Sequence, residues 1–360
     1  MLPALASLSA CGTVGYYAQA IEGHLGLMHA ARPVSEVVSD PATPPALRDK
    51  LRRIQVMREF AVRELGEPDN GSYRRYADLH RPFVVWNVIA TPEFSVTPIQ
   101  SCFPIAGCVS YRGWYSEAKA NQDAQRLAAE GDDVFVGGVP AYSTLGWFDD
   151  PLLNTFMRYP DAEVARLIFH ELAHQMLYVN GDSSFNESWA VSVEEEGVRR
   201  WLRTHATAEE RKRYAAFNAR REQFTALIGV YRDKLKAYYE SADKLVAPER
   251  SVGKAKLFAA LDSDYDSLKT SWGGIADYDR FMGRPSSDTP VTVRKPNNAL
   301  LASVVTYSEW LPAFRELLAE QHGDLPSYYR AVKALSNMPR KERDEELMSL
   351  QQKVGHSPAQ

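Results

Sequence analysis

Two histidines four residues apart, with a glutamate directly after the first, stand in His170-Glu171-Leu172-Ala173-His174. On a helix, positions i and i+4 lie one above the other. Both imidazoles can then reach one ion at about 2.0–2.1 Å, while Glu171 is offset to address a water on that ion. The chain has 8 histidines. Chance placement of this pattern is expected only about 0.01 times in a chain of this length, so it calls for a functional explanation. The chemistry is hydrolysis: zinc (Zn2+) polarises a carbonyl and acidifies the attacking water, and Glu171 serves as general base and carries the proton to the leaving group. A catalytic zinc site needs a third protein ligand and a position left for water. Phe185-Asn186-Glu187 supplies the candidate, Glu187.

The flanking residues predict the elements that must hold these groups. Asp161 after Pro160 reads as a helix N-cap, Glu163 lies in the first turn, Leu167, Ile168 and Phe169 are apolar, and Asn180-Gly181 closes the segment. The helix is expected to run about six residues past His174, roughly 9 Å. The stretch from Gly181 to Asn186 can span up to about 20 Å, enough to return a second, antiparallel helix with Glu187 at the level of the histidines. A competing reading makes Ser184-x-x-Glu187 a capping box, with Glu187 bonded to a backbone N–H. Glu194, two helical turns on, faces the same way. It either accepts the second N–H of a liganding histidine or belongs to a solvated charge run, Glu194-Glu195-Glu196. A tetrahedral oxyanion also wants a donor, and of the 18 tyrosines Tyr307 is the first candidate and Tyr142 the second.

The rest of the chain forms a setting for such a site. Its 360 residues, 45% hydrophobic and 24% charged with a net charge of −4, suit a globular protein and give no footprint for nucleic acid. Residues 16–65 have a helical pattern. Phe83–Ala90 and Phe94–Thr97 read as strands, 116–130 as a helix, and Asp133–Val136 as a strand leading into a glycine-rich segment, Gly137–Ser143. Within it, 138–143 is a candidate edge strand against which an extended peptide could pair. A long amphipathic helix opens on the capping box Thr207-x-x-Glu210 and carries Tyr214, Phe217, Phe224, Ile228, Tyr231, Leu235 and Tyr238 at helical steps, a core face. Gly283–Asn298 reads as a loop, followed by helix to about Leu350. The expected fold class is α+β: a small mixed β-sheet with an HExxH helix pair, then a mostly α-helical C-terminal part. The divisions are 1–10, 11–66, 67–205 and 206–360.

The first ten residues are apolar or small, too short to span a bilayer, and read as a secretory signal. Leu8-Ser9-Ala10-Cys11 resembles the lipobox of bacterial lipoproteins, which implies a lipid on Cys11 and a domain tethered in the cell envelope, facing the periplasm. In that oxidising compartment Cys102 and Cys108 can close a disulfide. A metal pair is the other reading, but no histidine lies near.

The HExxH segment followed by Asn186-Glu187-Ser188-Trp189-Ala190 resembles the gluzincin metallopeptidases. More closely, with the lipobox, Cys108-Val-Ser-Tyr-Arg-Gly113, Ala141-Tyr-Ser-Thr-Leu-Gly-Trp-Phe148 and Phe169-His-Glu-Leu-Ala-His-Gln175, the chain is similar to the putative aminopeptidase family of bacterial lipoproteins. The resemblance implies a zincin-like fold and aminopeptidase activity on peptides. It also implies His170, His174 and Glu187 as zinc ligands, with Glu171 as general base. The segment Gly137–Ser143 carries no carboxylate to hold a substrate's free amine. Two further readings are a tethered binding or scaffolding lipoprotein with a structural metal, and a hydrolase of non-peptide amides or esters.

Overall fold

Proline placement divides the N-terminal helical stretch. The computed structural model describes residues 6–103, 107–141, 143–284, 295–306 and 308–354. It opens with α1 (Ala6–Ala30), β1 (Arg32–Pro33), α2 (Val34–Ser39) and α3 (Pro45–Leu65). Pro33 and Pro44 stand at the N-caps of α2 and α3, where a residue without an N–H costs nothing. Gly66 ends α3 in the left-handed region. Next come β2 (Arg75–Ala77), β3 (Val85–Thr91), β4 (Ser101–Phe103), β5 (Gly107–Val109), β6 (Arg112–Trp114), α4 (Glu117–Ala129), β7 (Asp133–Val139) and β8 (Leu152–Leu153). After a 3-10 turn at Asn154–Phe156 the described chain is helical: α5 (Asp161–Met176), α6 (Ser183–His205), α7 (Ala208–Ser241), α8 (Ala247–Ser271), α9 (Asn298–Val305), α10 (Leu311–Glu320), α11 (Leu325–Ser336) and α12 (Arg340–Val354).

The class is α+β. The strands form two three-stranded sheets, ordered β6-β3-β7 and β1-β2-β8, plus the hairpin β4-β5. Only the second sheet is mixed, with β1 antiparallel and β8 parallel to β2. The expected strand at Phe94–Thr97 is a turn instead. Ser95 N–H donates to Pro92 O, and Thr97 N–H to the Ser95 hydroxyl. Its apolar residues anchor this turn: Val96 is buried among α7–α9, and Phe94 packs edge-on against Tyr239. Of the Gly283–Asn298 stretch, residues 285–294 lie outside the described residues.

Alternation along β3 sends its side chains to two cores. Trp86, Val88 and Ala90 pack with Ala120 and Ala124 of α4, while Val85 joins the main core. That main core gathers α3, α5 and α6 with α10–α12 around Ile54, Phe169, Trp189, Phe314 and Tyr328. A second core, Phe224, Ile228, Tyr231, Leu235, Leu261, Tyr265 and Leu301, holds α7–α9 together. The amphipathic stripe on α7 is therefore interior, although Tyr214, Phe217 and Tyr238 at its margins are only half-buried. Both halves of the Thr207–Glu210 capping box are formed.

Candidate active site

Helix α5 is buried on most of its circumference, with Val164, Ala165, Leu167, Ile168, Phe169, Leu172 and Ala173 in the core. Its N-cap is Pro160, and Asp161 is the first helical residue rather than the cap. Asp161 is drawn instead to Lys50 (2.6 Å) and Arg53 (2.7 Å) of α3. The helix stops at Met176, two residues past His174 and sooner than its hydrophobic pattern suggests.

A tight turn, 177–182, then reverses the chain into α6. Asn186 clamps it: its Oδ1 accepts from Val179 N–H at 2.7 Å, and its Nδ2 donates to Val179 O at 2.8 Å. Asp182 is the N-cap, accepting from Phe185 N–H at 3.2 Å. The capping box of the competing reading, at Ser184, is not formed, because the helix begins at Ser183 and Asp182 already takes the cap. Glu187 is thereby released from a capping role and faces the two histidines.

His170, His174 and Glu187 converge. Their Nε2 atoms stand 3.2 Å apart, and Glu187 Oε2 lies 3.3 Å from His170 Nε2 and 3.6 Å from His174 Nε2. Two ligands held at 2.0–2.1 Å from a tetrahedral ion are about 3.3 Å from each other, so these donors are spaced as one face of such a tetrahedron. All three are largely withdrawn from solvent, and among the described residues they are the group that could hold a metal.

Behind His170 sits Glu194. Its Oε2 is 2.9 Å from His170 Nδ1, and its carboxylate accepts from Arg166 Nη1 at 3.1 and 3.3 Å, with Arg221 at 3.5 Å. A proton on Nδ1 shared with Glu194 leaves the Nε2 lone pair directed at Glu187 and His174, the tautomer that a metal ligand requires. Glu194 is 1% exposed, which rules out the solvated-run reading. Burial works against its charge, yet Arg166 and then His170 hold its carboxyl down at about 2. Glu187 is likewise held at about 2 against burial, by His174 and His170. Close approach of α6 is permitted by Gly197, where a Cβ would meet Leu65 and Phe169 side chains at 2.7 Å.

Glu171, next to His170, is half-buried, and burial raises its pKa above the ordinary carboxylate value although both imidazoles oppose this. The polar surroundings on its side include Tyr73 and Asp150, both buried. Asp150 accepts from Thr144 N–H (3.0 Å), Ser143 Oγ (3.4 Å) and Gln175 Nε2 (3.4 Å), and burial lifts its pKa to about 6. Gln175 also donates to Ser72 and accepts from Asn70. The residue directly after His174 thus ties the HExxH helix to the loop leaving β7.

Tyr307 and Tyr142 lie outside the described residues. Two other tyrosines stand in the electrostatic field of the site. Tyr111, in the turn before β6, is pushed up by burial and then by Glu187; Tyr178, in the α5–α6 turn, is raised by the same two causes. Asn186 could have been found from its place beside Glu187, whereas Tyr178 lies past the end of α5 at Met176 and has no helical spacing to His174. Tyr111 carries no such local signal, since it is brought in by the hairpin.

β7 is the edge of its sheet, the side away from β3 having no strand partner among the described residues; of the expected edge strand 138–143 only Gly138 and Val139 belong to it, because the strand ends before Pro140. Asn297 Nδ2 covers Val134 O at its start (2.9 Å), and Thr155 Oγ1 donates to Pro140 O just past its end (2.5 Å). Cys102 and Cys108 form a disulfide across β4-β5. At Gly107 of this hairpin φ is +73°, and a Cβ would fall 1.6 Å from Asn180 Oδ1, so the hairpin rests directly on the α5–α6 turn.

Compared with known proteins, residues 15–347 match the family model described as "Putative aminopeptidase". No curated protein and no solved structure matches the chain.

Proposed function

The chain belongs to the Putative aminopeptidase family, and from that premise we propose that it is a zinc-dependent peptidase releasing N-terminal residues. In this reading His170, His174 and Glu187 hold the ion, in a zincin-like pairing of α5 with α6, and Glu171 is the general base. The observation that carries the reading is the triangle of donor atoms at 3.2, 3.3 and 3.6 Å, spaced for one ion and drawn from an HExxH helix and its neighbour. Three protein donors, and no fourth among the described residues, suit a catalytic rather than a structural site.

A bound zinc ion would supply Lewis acidity to the scissile carbonyl and to the attacking water. The chain's own residues do the rest. Glu171, its carboxylate made more basic by burial, takes the water proton and delivers it to the leaving amine. Glu194, pinned by Arg166, fixes the ring and tautomer of His170. The free side of β7 suits an extended peptide pairing by main-chain hydrogen bonds. The donor to the developing oxyanion is Tyr307 on the sequence reading, and Tyr111 and Tyr178 on their proximity to Glu187; single Phe replacements separate the three. Lipid attachment at Cys11 and a position in the cell envelope complete the proposal.

The test combines metal content with cleavage of a peptide library scored by mass spectrometry, with and without chelator. About one zinc per chain and chelator-sensitive loss of single N-terminal residues are expected. Internal cuts would make it an endopeptidase. Bound zinc without any peptide cleavage would favour the binding or non-peptide reading, and absence of metal would remove the central claim. Glu171→Gln is expected to keep metal and fold while hydrolysis falls about 10²–10⁴-fold.

A further inference from the structure

One face of α1 is held against the protein. Tyr16, Gln19 and Leu27 are buried, Gln19 Nε2 donates to Gly113 O (3.4 Å) and its Oε1 accepts from Tyr115 N–H (3.1 Å), and the Arg112 guanidinium lies 4.9 Å over the Tyr16 ring. The opposite face is uncovered, and an apolar stripe runs along it between Glu22 and His29. Ala18, Ile21 and Leu25 follow one another at steps of three and four, with Ile21 60% and Leu25 59% exposed. Beside them is the loop after β7, where Phe148 sets its ring 4.5 Å from that of His24 and is 53% exposed, and Trp147 is 70% exposed.

This loop is built to present those rings. The Thr144 hydroxyl donates to Phe148 O and accepts from Phe148 N–H, both at 3.1 Å, Trp147 N–H donates to Thr144 O, and Asp150 accepts from Thr144 N–H. Leu145 and Gly146 take positive φ values of 56° and 80°. Four large exposed apolar side chains thus stand on two elements that meet at the His24–Phe148 contact. Such a patch on a globular surface marks something that covers it.

We propose that this patch, Ile21 and Leu25 of α1 with Trp147 and Phe148, docks on the surface of a lipid bilayer. The choice of occupant rests on the lipid-anchor reading of Cys11. Cys11 precedes Leu25 by fourteen residues in the same helix, about four turns, so the two positions share a face. A lipid attached there would bring this face, and not the packed one, to the membrane. The docking is interfacial: among the described residues no helix is long and apolar enough to cross a membrane. A helix lying in the interface with aliphatic residues down and tryptophan at the boundary fits that setting. Since the stripe is flanked by Glu22 and His29 and not by lysines or arginines, attraction comes from apolar burial and not from anionic headgroups. The loop also packs on Gln175, directly after His174, so docking sets the candidate active site close to the bilayer.

The experiment uses the chain from residue 11 with Cys11→Ser, so that neither the apolar leader nor a lipid is present, sedimented with vesicles of phosphatidylethanolamine and phosphatidylglycerol. Vesicle binding that changes little with salt and falls about tenfold or more in Ile21→Asp/Leu25→Asp, with Trp147→Ala/Phe148→Ala also weakened, is the expected result. Circular dichroism and thermal unfolding confirm that each variant is folded. No binding, or equal binding by all variants, overturns the proposal. Concentration-dependent dimers that the same substitutions abolish, without vesicle binding, also overturn it and assign the patch to a second copy of the chain. Acylation of Cys11 is measured separately by mass spectrometry of the protein from cells. Its absence would sink the anchor while leaving the vesicle result to stand or fall by itself.

Discussion

Glu194 stands one contact behind the candidate metal donors. It neutralises Arg166, receives His170 Nδ1 and is shut off from water, so a neutral amide in its place would keep the size and lose the charge. Glu194→Gln is expected to lower zinc affinity about 10–100-fold with the fold retained, measured by competition with a chelator; unchanged affinity would reduce Glu194 to an internal salt-bridge partner. Asp150 gives a pH signature of opposite sign to that of most carboxylates. Burial lifts its pKa from 3.8 to about 6, so the folded chain binds the proton more tightly than the unfolded one. Its contribution to stability is greatest below about 4, declines as pH rises towards 6 and is flat above. Asp150→Asn lacks this decline. Chemical denaturation at a series of pH values is therefore expected to show the variant gaining on the wild type between pH 4 and 7, and a constant difference would refute the assignment. The donor residues were legible in the sequence because HExxH joins chemistry to a helical spacing. Asp150, Tyr73 and Tyr111 were not, because loops and a hairpin bring them in over long sequence separations.

At the scale of elements, the site depends on a turn and on what rests upon it. Helix α5 ends sooner than periodicity implies, and Asp182, not Ser184, begins α6, so that Glu187 arrives one turn into the new helix at the level of the histidines. Sequence indicated the helix pair and the return of the chain, since amphipathicity and an Asn-Gly stop are local signals. The choice among Asp182, Ser183 and Ser184 as cap was undecidable locally, because each is a competent capping type and the Asn186 clamp selects between them. The turn at Phe94–Thr97, where the sequence predicts a strand, has a related cause: apolar residues between two prolines serve a turn whose partners lie in α7–α9. The β4-β5 hairpin presses on this α5–α6 turn through Gly107. Gly107→Ala adds a Cβ both to a left-handed backbone and to the space of Asn180, and is expected to cost about 1–3 kcal/mol and to weaken metal binding. Urea denaturation and chelator competition on one sample check both; a neutral substitution would show that the hairpin is not bearing on the turn.

For the molecule as a whole, the C-terminal helices are part of what holds the site. Helices α10–α12 share a core with α5 and α6, and Tyr328 of α11 reaches Ser192 of α6 at 2.6 Å. Most telling is Arg343 of α12, 4% exposed, whose Nη2 lies 2.6 Å from Asp182 Oδ2 while Asp182 Oδ1 caps α6. One carboxylate thus serves the turn and the distant helix together. Its guanidinium also stands over the Phe185 ring at 5.2 Å, in the same first turn of α6. Removing one member of a buried ion pair leaves the other charged and unsolvated, so Arg343→Met is expected to destabilise the chain by about 3–5 kcal/mol. Because Asn still offers the oxygen that caps α6, Asp182→Asn/Arg343→Met is expected to recover part of that loss, the sign of a coupled pair. Urea denaturation of the two variants measures both terms. A loss below about 1 kcal/mol in the single variant, or no recovery in the double, would mean that α12 merely covers the turn; the expected pattern would mean that the geometry of the candidate metal site near residue 187 is set in part by a helix more than 150 residues downstream.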